Sequence, residues 1–214
     1  MCGINGFLTS VNTNELDLIK VLNDCTNKII HRGPDSTGIW ADDKKGIYMG
    51  HRRLSIVDLS PTGAQPMSSN GGRYVICLNG EIYNHLELRD ELSLFTNNII
   101  WKGSSDTETL INCFEFWGIE ATLKKTTGMF AFSLWDIFTD ELTIGRDRFG
   151  EKPLYYGWHE STFFFSSELK SIKSNKTIIN NNTIINNNDN RKQIIINYTP
   201  GTEPINHLSH EQQK

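Results

Sequence analysis

Two apolar periods alternate along this chain. Residues 2–8 (CGINGFL) make a short apolar run that predicts a first strand. In the next segment, NELDLIKVLNDCTNKII, Leu16, Ile19, Leu22 and Ile29 recur at helical spacing, with Asn14 placed to cap the helix. HRGPDSTG is dense in turn formers and predicts a loop. GIYMGHRRLSIVD then alternates like a strand, and SPTGAQPMSSNGGR is a long turn-rich connection. YVICLNGEIYN predicts a buried strand running into a glycine-containing turn, after which Asn84 is placed to cap a helix over HLELRDELSL.

The second half continues the pattern. A capping box at Ser105–Glu108 opens a helix with Leu110, Phe114 and Trp117 on one face, and Gly118 is placed to end it. GMFAFSLWDIFTDELTIGRDR predicts a hairpin around a Thr-Asp turn, and PLYYGWHESTFFFSSELKSI adds two strands and a short helix. Strands, then helices, then strands again predict an α+β fold with antiparallel layers rather than alternating βαβ units.

From Ser174 both periods vanish. TIINNN occurs twice in tandem within a stretch of almost pure Asn, Ile and Thr, a composition that predicts disorder. The remaining C-terminal residues are polar and too few for a second core. The expected organisation is one folded domain over 2–173 and a disordered C-terminal tail over 174–214.

A formal net charge of −4 disfavours nucleic acid or an anionic membrane surface as the main partner. No stretch is apolar for long enough to span a bilayer, and the N-terminus lacks a signal peptide's basic flank and apolar run. A reducing cytoplasm is therefore the expected location, with Cys2, Cys25, Cys77 and Cys113 as free thiols. Their spacing offers no CxxC pair and no Cys/His set, so no metal site is expected.

Four polar clusters can carry chemistry: Cys2, HRRLSIVD, LNGEIYN and SSDTE. Removal of Met1 would leave Cys2 with a free α-amine, whose ordinary pKa of roughly 7.7–8.0 suits a general base at working pH. Such an amine, acting directly or through one water, lets the thiol attack without a histidine partner. Acyl transfer also needs oxyanion donors, which the Asn79 amide and Gly80 N–H can supply. Arg53 can fork a substrate carboxylate, and Asp106 can take an ammonium. Each has a plain alternative: Asn-Gly makes hairpin turns, Asp106 suits a helix N-terminus, and Arg53 can be a surface residue.

In order along the chain, MCGINGF, HRGPDSTG, GHRRLSIVDLS, LNGEIYNHLELRDEL, SSDTETL, GMFAFSLWD and GRDRFGEKPLYYG with FSSELKSI resemble one family. They are similar to the class II glutamine amidotransferase domain of glutamine-hydrolysing asparagine synthetases, from Met1 to about Lys173. The resemblance implies a four-layer α/β/β/α sandwich of the N-terminal-nucleophile hydrolase type. It implies Cys2 as the nucleophile that forms a glutamyl thioester, with Asn79 and Gly80 as the oxyanion hole. Arg53 and the backbone of Leu54, Ser55, Ile56 and Val57 would then grip the carboxylate of L-glutamine, and Glu81 and Asp106 its ammonium.

In that family the ammonia passes to a second domain that uses ATP and Mg2+ to activate aspartate. Nothing in this chain resembles that domain's Ser-Gly-Gly-x-Asp-Ser loop, SSNGGR being a superficial echo, so no cofactor is expected here. The expected activity is release of ammonia from glutamine, as half of an asparagine-forming enzyme whose synthetase half lies elsewhere. A non-catalytic remnant, or a subunit donating ammonia to a separate synthetase chain, are the alternatives.

Overall fold

The computed structural model describes residues 1–10, 17–56, 58–96, 99–159 and 161–174, together with a strand at 194–198. Two five-stranded sheets lie face to face. The first contains β1 (Gly3–Leu8), β2 (Ser36–Asp42), β3 (Ile47–Arg53), β8 (Tyr155–His159) and β9 (Thr162–Ser166) in the order β2-β3-β1-β9-β8, all antiparallel. The second contains β4 (Met67–Ser68), β5 (Tyr74–Ile82), β6 (Gly128–Asp136), β7 (Glu141–Arg146) and β10 (Ile194–Tyr198) in the order β10-β7-β6-β5-β4. Helices α1 (Leu18–Asn27) and α5 (Leu169–Lys173) cover the first sheet, and α2 (His85–Phe95), α3 (Asp106–Trp117) and α4 (Ile119–Lys125) cover the second. The layers run α/β/β/α, as expected.

Alternation along each strand feeds two different cores. In β5, Tyr74, Ile76 and Leu78 face α3, whereas Val75 and Cys77 face the opposing sheet. In β3, Tyr48 packs with Phe7 and Leu22 beneath α1, while Ile47 and Met49 enter the space between the sheets. All seven residues of β3 are therefore buried, because both faces of its sheet are covered. Each fully buried Leu, Ile or Phe contributes about 1.5–3 kcal/mol, so the alternation fixes the register of every inner strand.

Several local expectations change in the folded chain. Strand β5 passes straight through Asn79 and Gly80, which pair with Ala131 and Phe130 of β6, so no turn forms there. The close approach of β6 demands the glycine: a Cβ on Gly80 would lie 2.3 Å from the Met129 carbonyl oxygen. Strand β2 begins at Ser36, inside the stretch of turn formers expected to be a loop, because β3 pairs with it from Arg53 onward. The α1 cap is Asp17, whose carboxylate accepts from Lys20 N–H, whereas Asn14 and Leu16 lie outside the described residues. Asn84 precedes α2 without capping it; its side chain instead donates to the Lys125 carbonyl and accepts from Thr127 N–H.

Ser105 caps α3 by accepting from Thr107 N–H, but Glu108 does not close the box onto it. Its carboxylate accepts from Lys102 and Gly103 N–H at 2.7 and 3.0 Å. Gly118 ends α3, and β6 and β7 form the expected hairpin. Within the stretch expected to be a tail, residues 194–198 add a strand parallel to β7, a correction for those five positions. The remainder of 175–214 lies outside the described residues.

Candidate active site

Cys2 stands immediately before β1, the middle strand of its sheet. Its thiol meets the residue that follows β3: Leu54 N–H donates to Sγ at 3.4 Å, and the thiol donates to the Leu54 carbonyl at 3.6 Å. Burial pushes the Cys2 thiol above its ordinary pKa. The Leu54 N–H, the terminal amine and Arg53 favour the thiolate without overcoming that burial. The group is thus a protonated thiol at neutral pH and needs a base at the moment of attack.

Across a cavity of about 100 Å³, the end of β5 faces this thiol. Asn79 is fully buried, and neither its amide nitrogen nor its amide oxygen has a hydrogen-bond partner. A buried polar group left unpaired costs about 1–3 kcal/mol, so such a group aimed into a cavity marks a place for a ligand. Gly80 and Glu81 continue the same wall.

Arg53 also lines the cavity, buried against Gly63, where a Cβ would come within 2.2 Å of its Nη2. Its guanidinium donates to the carbonyls of Ser60, at 2.8 Å, and Asp58. Among the described residues it makes no ion pair, although buried charges are ordinarily paired. Its own loop is braced by the Asp58 carboxylate, which accepts from Ser60 and Thr62 and from Ser104 N–H just before α3. Burial opposes the Asp58 charge, but those donors outweigh it and hold the carboxyl below its usual range.

Asp106, the first residue of α3, also reaches the cavity. One carboxylate oxygen accepts from Ile82 N–H at 2.9 Å and the other from Thr107 N–H at 2.8 Å. Burial raises its pKa, and the neighbouring Glu81 adds to the rise. Asp106 is therefore more than a helix-terminal charge: it joins α3 to β5 and sets two carboxylates side by side, a suitable seat for an ammonium.

Of the residues singled out from the sequence, Cys2, Arg53, Leu54, Ile56, Asn79 and Gly80 line the cavity, and so do Glu81 and Asp106. Ser55 is tied away, its N–H donating to Asp35 at 2.8 Å, and Val57 lies outside the described residues.

A sequence model of the glutamine amidotransferase domain matches residues 1–201. The chain belongs to that family. This amidotransferase domain is 40% identical over 176 residues to asparagine synthetase (glutamine-hydrolyzing) 1 of Bacillus subtilis (strain 168), covering 80% of the chain and 26% of that protein. It is 35% identical over 180 residues to amidase chry2 of Gibberella zeae, covering 80% of the chain and 26% of that protein. It thus spans about a quarter of the length of these curated relatives, and it is a class II domain of the asparagine synthetase type. In fold it matches glutamine phosphoribosylpyrophosphate (PRPP) amidotransferase from B. subtilis, with a TM-score of 0.66 and 19% identity, covering 81% of this chain and 43% of that one. That likeness shows the shared fold, the two facing sheets with their outer helices.

Three residues that frame the site of this amidotransferase domain were given no role from the sequence. Gln65 accepts Leu78 N–H at 2.6 Å and donates to Thr107 Oγ1 at 3.1 Å. His51 bonds the Leu78 carbonyl through Nε2 at 3.0 Å, and burial depresses its pKa to about 4, so the ring is neutral and donates. The backbone just before Asn79 is thereby held at both its N–H and its carbonyl. Arg32 donates from Nε to the Cys2 carbonyl at 2.9 Å. A fourth, Lys152, is buried at the cavity's edge with its ammonium 3.2 Å from the Met1 sulfur. Arg32 lies in HRGPDSTG, His51 in GHRRLSIVDLS and Lys152 in GRDRFGEKPLYYG, so the family pattern touched all but Gln65 without indicating what any of them does.

Proposed function

We propose that this domain hydrolyses L-glutamine to L-glutamate and ammonia through a thioester on Cys2. The observation that carries the reading is the orphaned Asn79 amide, buried and unpartnered in the same cavity as the Cys2 thiol. Arg53, a buried guanidinium without a carboxylate, suits the glutamine α-carboxylate, with the backbone of Leu54, Ser55, Ile56 and Val57 beside it. Glu81 and Asp106 suit the α-ammonium.

The reaction begins from the chain without Met1, so that the α-amine belongs to Cys2 itself. That amine takes the thiol proton, directly or through one water, as Sγ attacks the side-chain amide carbon. The oxygen becomes an oxyanion held by Asn79 Nδ2 and Gly80 N–H. Collapse breaks the C–N bond, the nitrogen takes the proton from the ammonium, and ammonia leaves. Water then attacks the thioester, giving its proton to the same amine, and the second collapse returns the thiol and releases glutamate. No metal or cofactor enters these steps.

We further infer that the ammonia serves ATP-dependent asparagine formation from aspartate. ATP and Mg2+ would belong to a synthetase domain or chain outside the residues described. The similarity to the B. subtilis protein, whose length this chain spans only in part, supports that role. No nucleic acid or membrane partner is part of this reading, which places the domain in the cytoplasm. Among the described residues no helix is long and apolar enough to cross a membrane.

Release of glutamate by the wild type and by Cys2→Ala tests the reading. Turnover by the wild type alone supports it; equal background in both overturns it and leaves a non-catalytic remnant. Protein that retains Met1 is expected to fold normally and to hydrolyse no glutamine.

A further inference from the structure

The FSSELKSI segment takes no part in glutamine hydrolysis itself, yet it grips the nucleophile's strand from behind. Ser167 N–H donates to the Ile4 carbonyl at 2.8 Å, and Ile4 N–H donates back to Ser167 Oγ at 3.0 Å. Ser166 Oγ donates to the same carbonyl at 3.2 Å. One residue on, the Glu168 carboxylate accepts from Arg32 Nη1 at 3.2 Å. Arg32, mostly buried, is the residue that holds the Cys2 carbonyl. The backbone at positions 2 and 4 is thus secured from one short segment at the start of α5.

We propose that Glu168 is a positioning residue for the reaction at Cys2, acting through Arg32. The inference rests on the glutamine reading. Once Met1 is gone, Cys2 has a chain neighbour on one side only, and terminal residues fray unless tied down. A nucleophile displaced by about 1 Å can lose about 100-fold in rate. The Arg32–carbonyl bond supplies the tie, and the Glu168 carboxylate orients the guanidinium so that Nε faces Cys2.

Glu168 is faced by Arg32, by His31 Nε2 at 2.8 Å and by Lys170 Nζ at 3.0 Å. Burial opposes its charge, but hydrogen bonds from His31, Lys170 and Arg32 outweigh it and hold the pKa down to about 2. The carboxylate therefore stays ionised at any working pH. Of its three partners, Arg32 is the one bonded to Cys2, which separates a positioning role from a merely stabilising one.

Kinetics of glutamate release, with alkylation of Cys2 by iodoacetamide located by peptide mass spectrometry, test the proposal. In Glu168→Gln, kcat is expected to fall at least about tenfold. KM for glutamine should stay within about twofold, because Arg53, Glu81 and Asp106 are untouched. The loosened thiol should be alkylated at least about threefold faster than in the wild type. Lys170→Ala, which removes a partner not bonded to Cys2, should match the wild type in both readouts. Should Glu168→Gln fail to fold, Arg32→Lys, which keeps the charge but lacks Nε, carries the same expectations. Alkylation needs no turnover, so an inactive wild type would refute the glutamine reading while leaving positioning measurable. Wild-type kcat and labelling in Glu168→Gln would overturn the proposal. So would a loss confined to KM, or an equal loss in Lys170→Ala.

Discussion

Two buried amides on either side of Leu78 are treated in opposite ways. Gln65 has both ends of its amide paired, one to β5 and one to α3. Asn79, more deeply buried still, has neither. The same contrast separates two arginines one strand apart in the fold. Arg32 has a carboxylate, Glu168, and a backbone carbonyl for company, whereas Arg53 has only carbonyls of its own loop. Each frame side chain is tied to a partner through at least one atom, though Arg32 Nη2 and His51 Nδ1 stay unpaired, whereas the Asn79 amide in the cavity lining has no partner at either end. Folding free energy favours pairing every buried polar group, so an amide left unpaired at both ends in a cavity wall is a place for a ligand.

Exchanging the two amides for alanine breaks this comparison most sharply. Asn79→Ala removes the proposed oxyanion donor and should lower kcat by about 10²–10³-fold. Stability should hold or rise, because an unsatisfied buried group disappears. Gln65→Ala should do the reverse, destabilising the fold by about 1–3 kcal/mol as Leu78 N–H loses its acceptor. Chemical denaturation and glutamate-release kinetics on both variants check the pair. Equal stability losses would abolish the distinction between frame and lining.

The frame also has a pH signature. His51 is neutral in the fold, with a pKa near 4, but titrates near 6.5 in the unfolded chain. The unfolded state therefore binds a proton first as pH falls. The stability tied to a neutral His51 is complete above about pH 6.5 and is lost progressively down to about pH 4, a loss of about 3 kcal/mol. Urea denaturation from pH 7 to pH 4 should show that decline in the wild type, and His51→Gln should lack this component.

A smaller effect is expected on the lining side at Arg53. Arg53→Lys keeps a cation but loses the fork, and a charge-assisted hydrogen bond is worth about 1.5–3 kcal/mol. KM for glutamine should rise about 10- to 100-fold while kcat changes little. Loss in kcat alone would place Arg53 with the frame.

How much of the molecule is legible from sequence depends on the range of the forces involved. Strands β1, β5 and β6 and helix α3 announce themselves by local periodicity, and the residues of the family pattern led to Cys2, Asn79 and Asp106. Asn79-Gly80 misled as a turn because its local preference yields to nine-residue pairing with β6. The side chains of Asn84 and Glu108 chose partners brought near by the fold over the helix ends they adjoin. Gln65 lies in no motif, and His51 and Arg32, though inside family motifs, could be given no role, since each of the three is defined by a partner 13, 27 or 30 positions away. Periodicity reports what is buried, but pairing, and the failure to pair, exists only once the chain has folded.

The central claim is that Cys2 opens the glutamine amide with help from the unpaired Asn79. Acid-quenched protein caught during turnover, digested and weighed by mass spectrometry, tests it most directly. The account predicts a glutamyl group on the peptide that begins with Cys2, present in the wild type and strongly reduced in Asn79→Ala. Steady release of glutamate with Cys2 unmodified, or a glutamyl group on any other residue, would contradict it.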